Sequence, residues 1–148
     1  MRGKKDQMIE IYTDGSCDPN PGPGGWAAII FDGEEKTELK GYEPESTNNR
    51  MELTAAIKAL KSVDKTKVVK IYTDSQYLQK GVTEWLENWK SRNWKRKGGK
   101  LANIDLWKTL SDEIDQRKIT WRWIRGHSGH PFNERVNRLA QQMASNQE

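Results

Sequence analysis

The tetrapeptide Ile-Tyr-Thr-Asp occurs twice, in Ile11-Tyr12-Thr13-Asp14-Gly15-Ser16 and in Ile71-Tyr72-Thr73-Asp74-Ser75-Gln76. Each copy follows a β-rich run, Met8-Ile9-Glu10-Ile11-Tyr12 and Val68-Val69-Lys70-Ile71-Tyr72, so each aspartate is expected to end a strand. A carboxylate there emerges at the carboxyl edge of a sheet, where open α/β sheets place their ligand sites. Two such strands, adjacent and parallel, bring both carboxylates together. Like charges at close range repel unless a cation lies between them, so the pair points to a divalent metal site. Glu52 is a third candidate, expected in the first turn of a helix entered through Ser46-Thr47-Asn48-Asn49. Taken alone, Glu52 reads more readily as a solvated helix-end residue; the paired aspartates do not. Two Mg²⁺ ions roughly 4 Å apart would balance three carboxylates and clamp an in-line phosphoryl displacement.

The elements that must position these acids follow from pattern and punctuation. Gly15 to Gly25 is dense in Gly and Pro and reads as an irregular loop that lets backbone approach a ligand. A phosphate-cradling loop is the alternative there, but the terminal Gly-Lys-Ser/Thr is missing. Trp26–Phe31 reads as a strand, Asp32-Gly33 as a hairpin turn, and Glu35–Tyr42 as the returning strand. The helix carrying Glu52 has the apolar stripe Leu53, Ala56, Ile57 and Leu60. Ser75 caps a short helix expected to stop near Gly81. Thr83 to Asn93 reads as a second helix with Trp85, Leu86 and Trp89 on one face, and Ile104 to Ile114 as a third. Ile119–Ile124 alternates as a last strand. A loop, Gly126-His127-Ser128-Gly129-His130-Pro131, leads to a final helix with Val136, Leu139, Ala140 and Met143 as its buried face. The order β-β-β-α-β-α-α-α-β-α gives an α/β fold, a mixed five-stranded sheet with helices on both faces. A right-handed crossover through the first helix lets the fourth strand lie beside the first.

Size and charge set the remaining bounds. The 148 residues suit one domain, 1–148, in which 31% charged and 34% apolar residues fit a globular protein. One cysteine, Cys17, fits a reducing compartment, and the first seven residues lack the apolar stretch of a signal peptide. A cytoplasmic monomer with no membrane partner is the expectation. Trp89 to Lys100 holds six basic residues (Lys90, Arg92, Lys95, Arg96, Lys97, Lys100) and no acid. Without them the net charge of +4 becomes −2, so a mildly acidic body carries one concentrated basic protrusion around 83–100. Trp85, Trp89 and Trp94 are interleaved with it. Trp85 and Trp89 are open to burial against the next helix, expected of Trp89; Trp94 is expected to face solvent.

The chain resembles the bacterial ribonuclease HI family, the type 1 ribonucleases H. The resemblance rests on Thr13-Asp14-Gly15-Ser16-Cys17, Asn20-Pro21-Gly22-Pro23-Gly24-Gly25, Thr47-Asn48-Asn49-Arg50-Met51-Glu52-Leu53, Tyr72-Thr73-Asp74-Ser75-Gln76-Tyr77, Asp105-Leu106-Trp107 and Gly126-His127-Ser128-Gly129-His130-Pro131. These occur in the family's order and spacing, and the resemblance covers nearly the whole chain from Met8 to Ala144. The resemblance implies a ribonuclease H-like fold and two-metal hydrolysis of the RNA strand of RNA–DNA hybrids, leaving 5′-phosphate and 3′-hydroxyl ends. Mg²⁺ is the implied cofactor, with two ions when substrate is bound and Mn²⁺ as a substitute. By position, Asp14 bridges the two metals, while Glu52 and Asp74 complete the ion nearer the leaving group. Asn20, Asn48, Asn49 and Gln76 match contacts to the hybrid's minor groove, where an amide both donates to and accepts from a 2′-hydroxyl. Thr47 matches a DNA-phosphate contact. Trp85, Trp94, Lys95, Arg96 and Lys97 fall in the family's substrate-binding protrusion. His127 matches a loop histidine that moves protons or helps product leave; without the resemblance both histidines read as ordinary loop residues.

One position departs from the pattern. The family's fourth acidic ligand, early in the last helix, is Asn137 here, within Asn133-Glu134-Arg135-Val136-Asn137-Arg138. A neutral oxygen replaces a charged one on the ion that activates water. Three readings follow: an active hybrid-specific endoribonuclease, a hybrid-binding protein with little cleavage, and a DNA nuclease or recombinase on the same fold. The amides that read 2′-hydroxyls and the single compact domain argue against the third.

Overall fold

A computed structural model describes residues 8–95, 102–126 and 129–145. The order is β1 (Ile9–Cys17), β2 (Gly22–Asp32), β3 (Glu35–Ser46), α1 (Asn48–Lys61), β4 (Val68–Thr73), α2 (Gln76–Lys80), α3 (Leu86–Ser91), α4 (Ile104–Asp115), β5 (Lys118–Trp123) and α5 (Pro131–Ser145). One five-stranded sheet runs β3-β2-β1-β4-β5. Its first three strands are antiparallel neighbours, and β4 lies parallel between β1 and β5.

Alternation along β1 divides the core between two sheet faces. Ile9 and Ile11 pack with Leu53, Ile57 and Leu60 of α1, and with Trp107 and Leu110 of α4. Tyr12 points the other way, to Val136, Leu139 and Ala140 of α5. Helices therefore cover both faces, as expected. On α5 the buried set includes Ala144, whereas Met143 is only half-buried.

Three local expectations are corrected. The stretch from Gly15 to Gly25 is not irregular throughout: β1 continues to Cys17 and β2 begins at Gly22, with Gly15 opposite Trp26 and Cys17 opposite Gly24. Glycine serves close packing here, because a Cβ at Gly15 would strike the α1 backbone at Met51 and Glu52. Gly81 does not stop the helix begun at Gln76. The chain winds on through a five-residue π turn, Gly81–Trp85, directly into α3. A Cβ at Gly81 would overlap the edge of the Trp107 ring, so its smallness admits the buried indole. Trp94 is half-buried, not solvent-facing: Asn93 and Trp94 have φ of 55° and 65°, and this left-handed turn folds Trp94 back over Trp89 at 6.5 Å between ring centres.

Candidate metal centre and nucleic-acid interface

The repeated tetrapeptide lies side by side with itself. β1 and β4 pair in parallel from Ile9↔Val69 to Tyr12↔Tyr72, and the two tyrosine rings stack at 4.4 Å. Parallel pairing ends there, so Asp14 and Asp74 emerge together two residues beyond it. Asp74 follows the last residue of β4, as expected of a strand end. Asp14 does not end its strand: its other edge stays paired to β2, opposite Ala27. Antiparallel pairing thus fixes one aspartate rigidly, while the other leaves the sheet.

Glu52 arrives from the opposite face. It is the fifth residue of α1, past the first turn, and only 8% exposed. The Gly15 N–H donates to its Oε1 at 2.8 Å. Thr47 starts this helix, its Oγ1 accepting from the Arg50 N–H at 3.1 Å. Arg50 then makes a bidentate pair with Asp105 of α4 (3.0 and 2.8 Å), fixing α1 from outside. One ligand oxygen from each of Asp14, Glu52 and Asp74 lies within 4.8 Å of the others.

Burial followed by carboxylate repulsion pushes Asp14 and Glu52 well above their ordinary pKa; for both, the Gly15 N–H pulls the other way. Two buried acids with a half-buried third beside them are a poor arrangement unless protonated or bridged by cations. The donor set is all oxygen, which suits a hard divalent ion.

Helix α5 closes the site from the face that Asp14 shares with Tyr12. With its amide oriented to satisfy both groups, the Asn137 nitrogen stands 2.5 Å from Asp14 Oδ2 and 3.2 Å from Oδ1. Asn137 therefore reaches the carboxylates, as its sequence position implies, but presents a donor to Asp14. Asn133, one turn earlier, was not singled out by sequence. It is 1% exposed, and its amide donates to Asp74 Oδ2 at 3.4 Å while its own carbonyl oxygen is buried and unpartnered. The four-residue spacing to Asn137 was the available signal.

The proposed groove residues surround this centre unevenly. Exposed Asn20 accepts from the Asn48 N–H at 3.1 Å, joining the β1–β2 tip to the head of α1; Asn49 and Gln76 are exposed nearby in their elements. Trp85 and Trp89 are half-buried, linked to Tyr77 and Trp107 in an aromatic cluster of edge-on and tilted contacts. Lys90 is tied to Asp115 at 2.9 Å, whereas Lys95 is exposed. Arg96, Lys97 and His127 lie outside the described residues. A Cβ on neighbouring Gly126 would approach Asp74 Oδ2 to 3.0 Å, so the loop sets out from the edge of the site.

The RNase H family profile matches residues 6–145. The chain belongs to the ribonuclease H family. It is 53% identical over 135 residues to a ribonuclease H of Hahella chejuensis, covering 90% of this chain and 91% of that one. A ribonuclease HI of Caulobacter vibrioides is 52% identical over 133 residues, covering 89% of each. Among solved structures, LC9-RNase H1, described as a type 1 RNase H with the type 2 active-site motif, superposes with a TM-score of 0.86 at 34% identity. That match covers 95% of this chain and 74% of the other. The ribonuclease H fold is thus shared, and the buried acids occupy its sheet edge. No helix among the described residues is long and apolar enough to cross a membrane.

Proposed function

We propose that this ribonuclease H hydrolyses the RNA strand of RNA–DNA hybrids, leaving 5′-phosphate and 3′-hydroxyl ends, with Mg²⁺ as its cofactor. The observation that carries the reading is the convergence of Asp14, Glu52 and Asp74 at one edge, the first two buried and the third half-buried. These three, with Asn137, would hold the ions. Bound there, divalent ions would neutralise charge on the phosphoryl group and lower the pKa of a bound water so that nucleophilic hydroxide is available near neutral pH. The chain's own contribution is positioning. Gly15 orients Glu52, Asn137 orients Asp14, and Asn133 orients Asp74. Asn20, Asn48, Asn49 and Gln76 line the approach with amides suited to 2′-hydroxyls. Thr47 contacts a DNA phosphate, and the 83–100 segment, with Trp85, Trp94, Lys95, Arg96 and Lys97, is the substrate-binding protrusion. His127 assists proton movement or product release. The whole chain acts as one domain, a monomer in the cytoplasm.

A second reading has its own observation. The Asn137 amide donates to Asp14 and occupies a carboxylate oxygen that a metal would use. On this reading the chain binds hybrid but cleaves it slowly. Cleavage of a labelled hybrid in Mg²⁺ and then in Mn²⁺, for this chain and for Asn137→Asp, separates the two. Turnover in Mg²⁺ by the unaltered chain supports the enzyme; turnover only after the substitution supports the binder. Equal cutting of duplex DNA would overturn both.

A further inference from the structure

Between the end of β1 and α5 lies a polar cleft of about 690 Å³, lined by Ser16, Asp18, Arg138, Gln141, Gln142 and Ser145. Both of its walls adjoin residues of the carboxylate edge along the chain. Ser16 is two residues beyond Asp14 in β1 and therefore shares its pleat, toward α5. Arg138 follows Asn137, and Gln141 lies one turn beyond Asn137 on α5. A strand whose phosphate sits at Asp14 and Asn137 and continues past Ser16 must enter this cleft.

The lining fits a ribonucleotide strand in particular. Arg138 is exposed, a charged fork suited to phosphate oxygens. Asp18 on the opposite wall is the wrong sign for a phosphate, but a carboxylate accepts well from a hydroxyl. Ser16, Gln141 and Gln142 add groups that both donate and accept. One cation faced by acceptors is the arrangement that places a phosphate against α5 and its 2′-hydroxyl against the β1–β2 tip. A deoxyribose would leave Asp18 without a donor. The basic arm, by contrast, carries six cations and no acid from Trp89 to Lys100.

We infer that this cleft is a second contact for the RNA strand, in which Arg138 binds a phosphodiester next to the scissile one and Asp18 accepts from a neighbouring 2′-hydroxyl. The inference rests on the hybrid reading given above. It adds an anchor on α5 independent of the basic arm.

The test is equilibrium binding of a labelled RNA–DNA hybrid in chelator, where no cleavage occurs, across a salt series. The intact chain is compared with Arg138→Gln and with Lys61→Gln, which removes the same charge at the exposed far end of α1. Arg138→Gln should weaken binding about three- to tenfold and reduce the slope of log affinity against log salt by about one, as expected when one phosphate is no longer neutralised. Lys61→Gln should leave the slope unchanged. Hybrids carrying one neutral methylphosphonate at a time then locate the contact. A single linkage in the RNA strand should weaken binding to the intact chain and have no effect on Arg138→Gln. If Arg138→Gln keeps the intact salt slope, or if the sensitive linkage lies in the DNA strand, the inference is overturned while the hybrid reading stands. If the intact chain does not bind hybrid, the hybrid reading itself falls.

Discussion

The carboxylate edge and the aromatic arm handle charge in opposite ways. At the edge, Asp14 and Glu52 are held below one-tenth exposure by backbone: a paired strand, a helix and the Gly15 N–H. In the arm, Arg92 and Lys95 stand in solvent near a cluster of half-buried tryptophans in tilted contact. A buried charge interacts strongly and costs much to leave unpaired, whereas an exposed one is screened and worth little alone. Chemistry therefore needs the first environment, and salt-tuned grip the second. Single substitutions should act sharply at the edge and gradually in the arm.

The sharpest way to break that contrast is to neutralise one edge acid. Asp14→Asn and Asp74→Asn should each lower the turnover number by on the order of 10³-fold, the upper range for one preorganised electrostatic group. Hybrid affinity in chelator should change little. Undiminished turnover in either variant would remove the metal-site assignment.

Next in size is a change that severs the arm from its footing. Gly81→Ala should destabilise the protein by about 1–3 kcal/mol, because the new methyl must displace the buried Trp107 ring. Urea unfolding measures it, and a midpoint equal to that of the parent would mean the π turn relaxes freely.

The edge should also respond to pH in a direction opposite to ordinary surface acids. The Glu52 pKa is raised by burial and by Asp14 and Asp74, so the metal-free native state holds its proton more tightly than the unfolded chain. That stabilisation is complete below about pH 4, the unfolded carboxylate range, and is lost as pH rises through the raised value. Glu52→Gln in chelator should therefore gain stability relative to the parent as pH increases. Comparing the two cancels acids with lowered pKa, such as Asp105 and Glu38, whose contributions run the other way. A constant difference across pH 4–8 would show that Glu52 is not strained in this way.

In the arm, neutralising Lys95, Arg96 and Lys97 together should raise the Michaelis constant and flatten its salt dependence, by about one unit of slope for each phosphate they neutralise. An unchanged slope would mean this segment does not touch the substrate.

The smallest expected effect probes the seam between edge and α5. Asn137→Asp should raise activity in Mg²⁺ more than in Mn²⁺, since Mn²⁺ binds a given oxygen and nitrogen site more tightly. The thermal midpoint in chelator should fall slightly, because a donor to Asp14 becomes a fourth carboxylate. A Mg²⁺ titration left unmoved would place position 137 outside the metal's reach.

Much of this was already legible along the chain. The duplicated Ile-Tyr-Thr-Asp marked two strands that pair with themselves in register, because identical patterns bury identical faces. The stripe on α1 announced its buried side, and Thr47 its start, since capping and periodicity are local. Asn137 stood out as soon as the family resemblance supplied the missing acid. What the chain alone left open depended on partners distant in sequence. Gly15 and Gly22 look like loop residues until a strand or helix is laid against them. Gly81 looks like a stop until Trp107, far along the chain, needs its empty space. Trp94 looks solvent-facing until a left-handed turn returns it to Trp89. Asn133 and Arg138 acquire meaning only once α5 is docked on the face of Asp14. Local propensity determined which elements form; burial against distant partners, a property of the assembled fold alone, decided where they end and which polar groups meet.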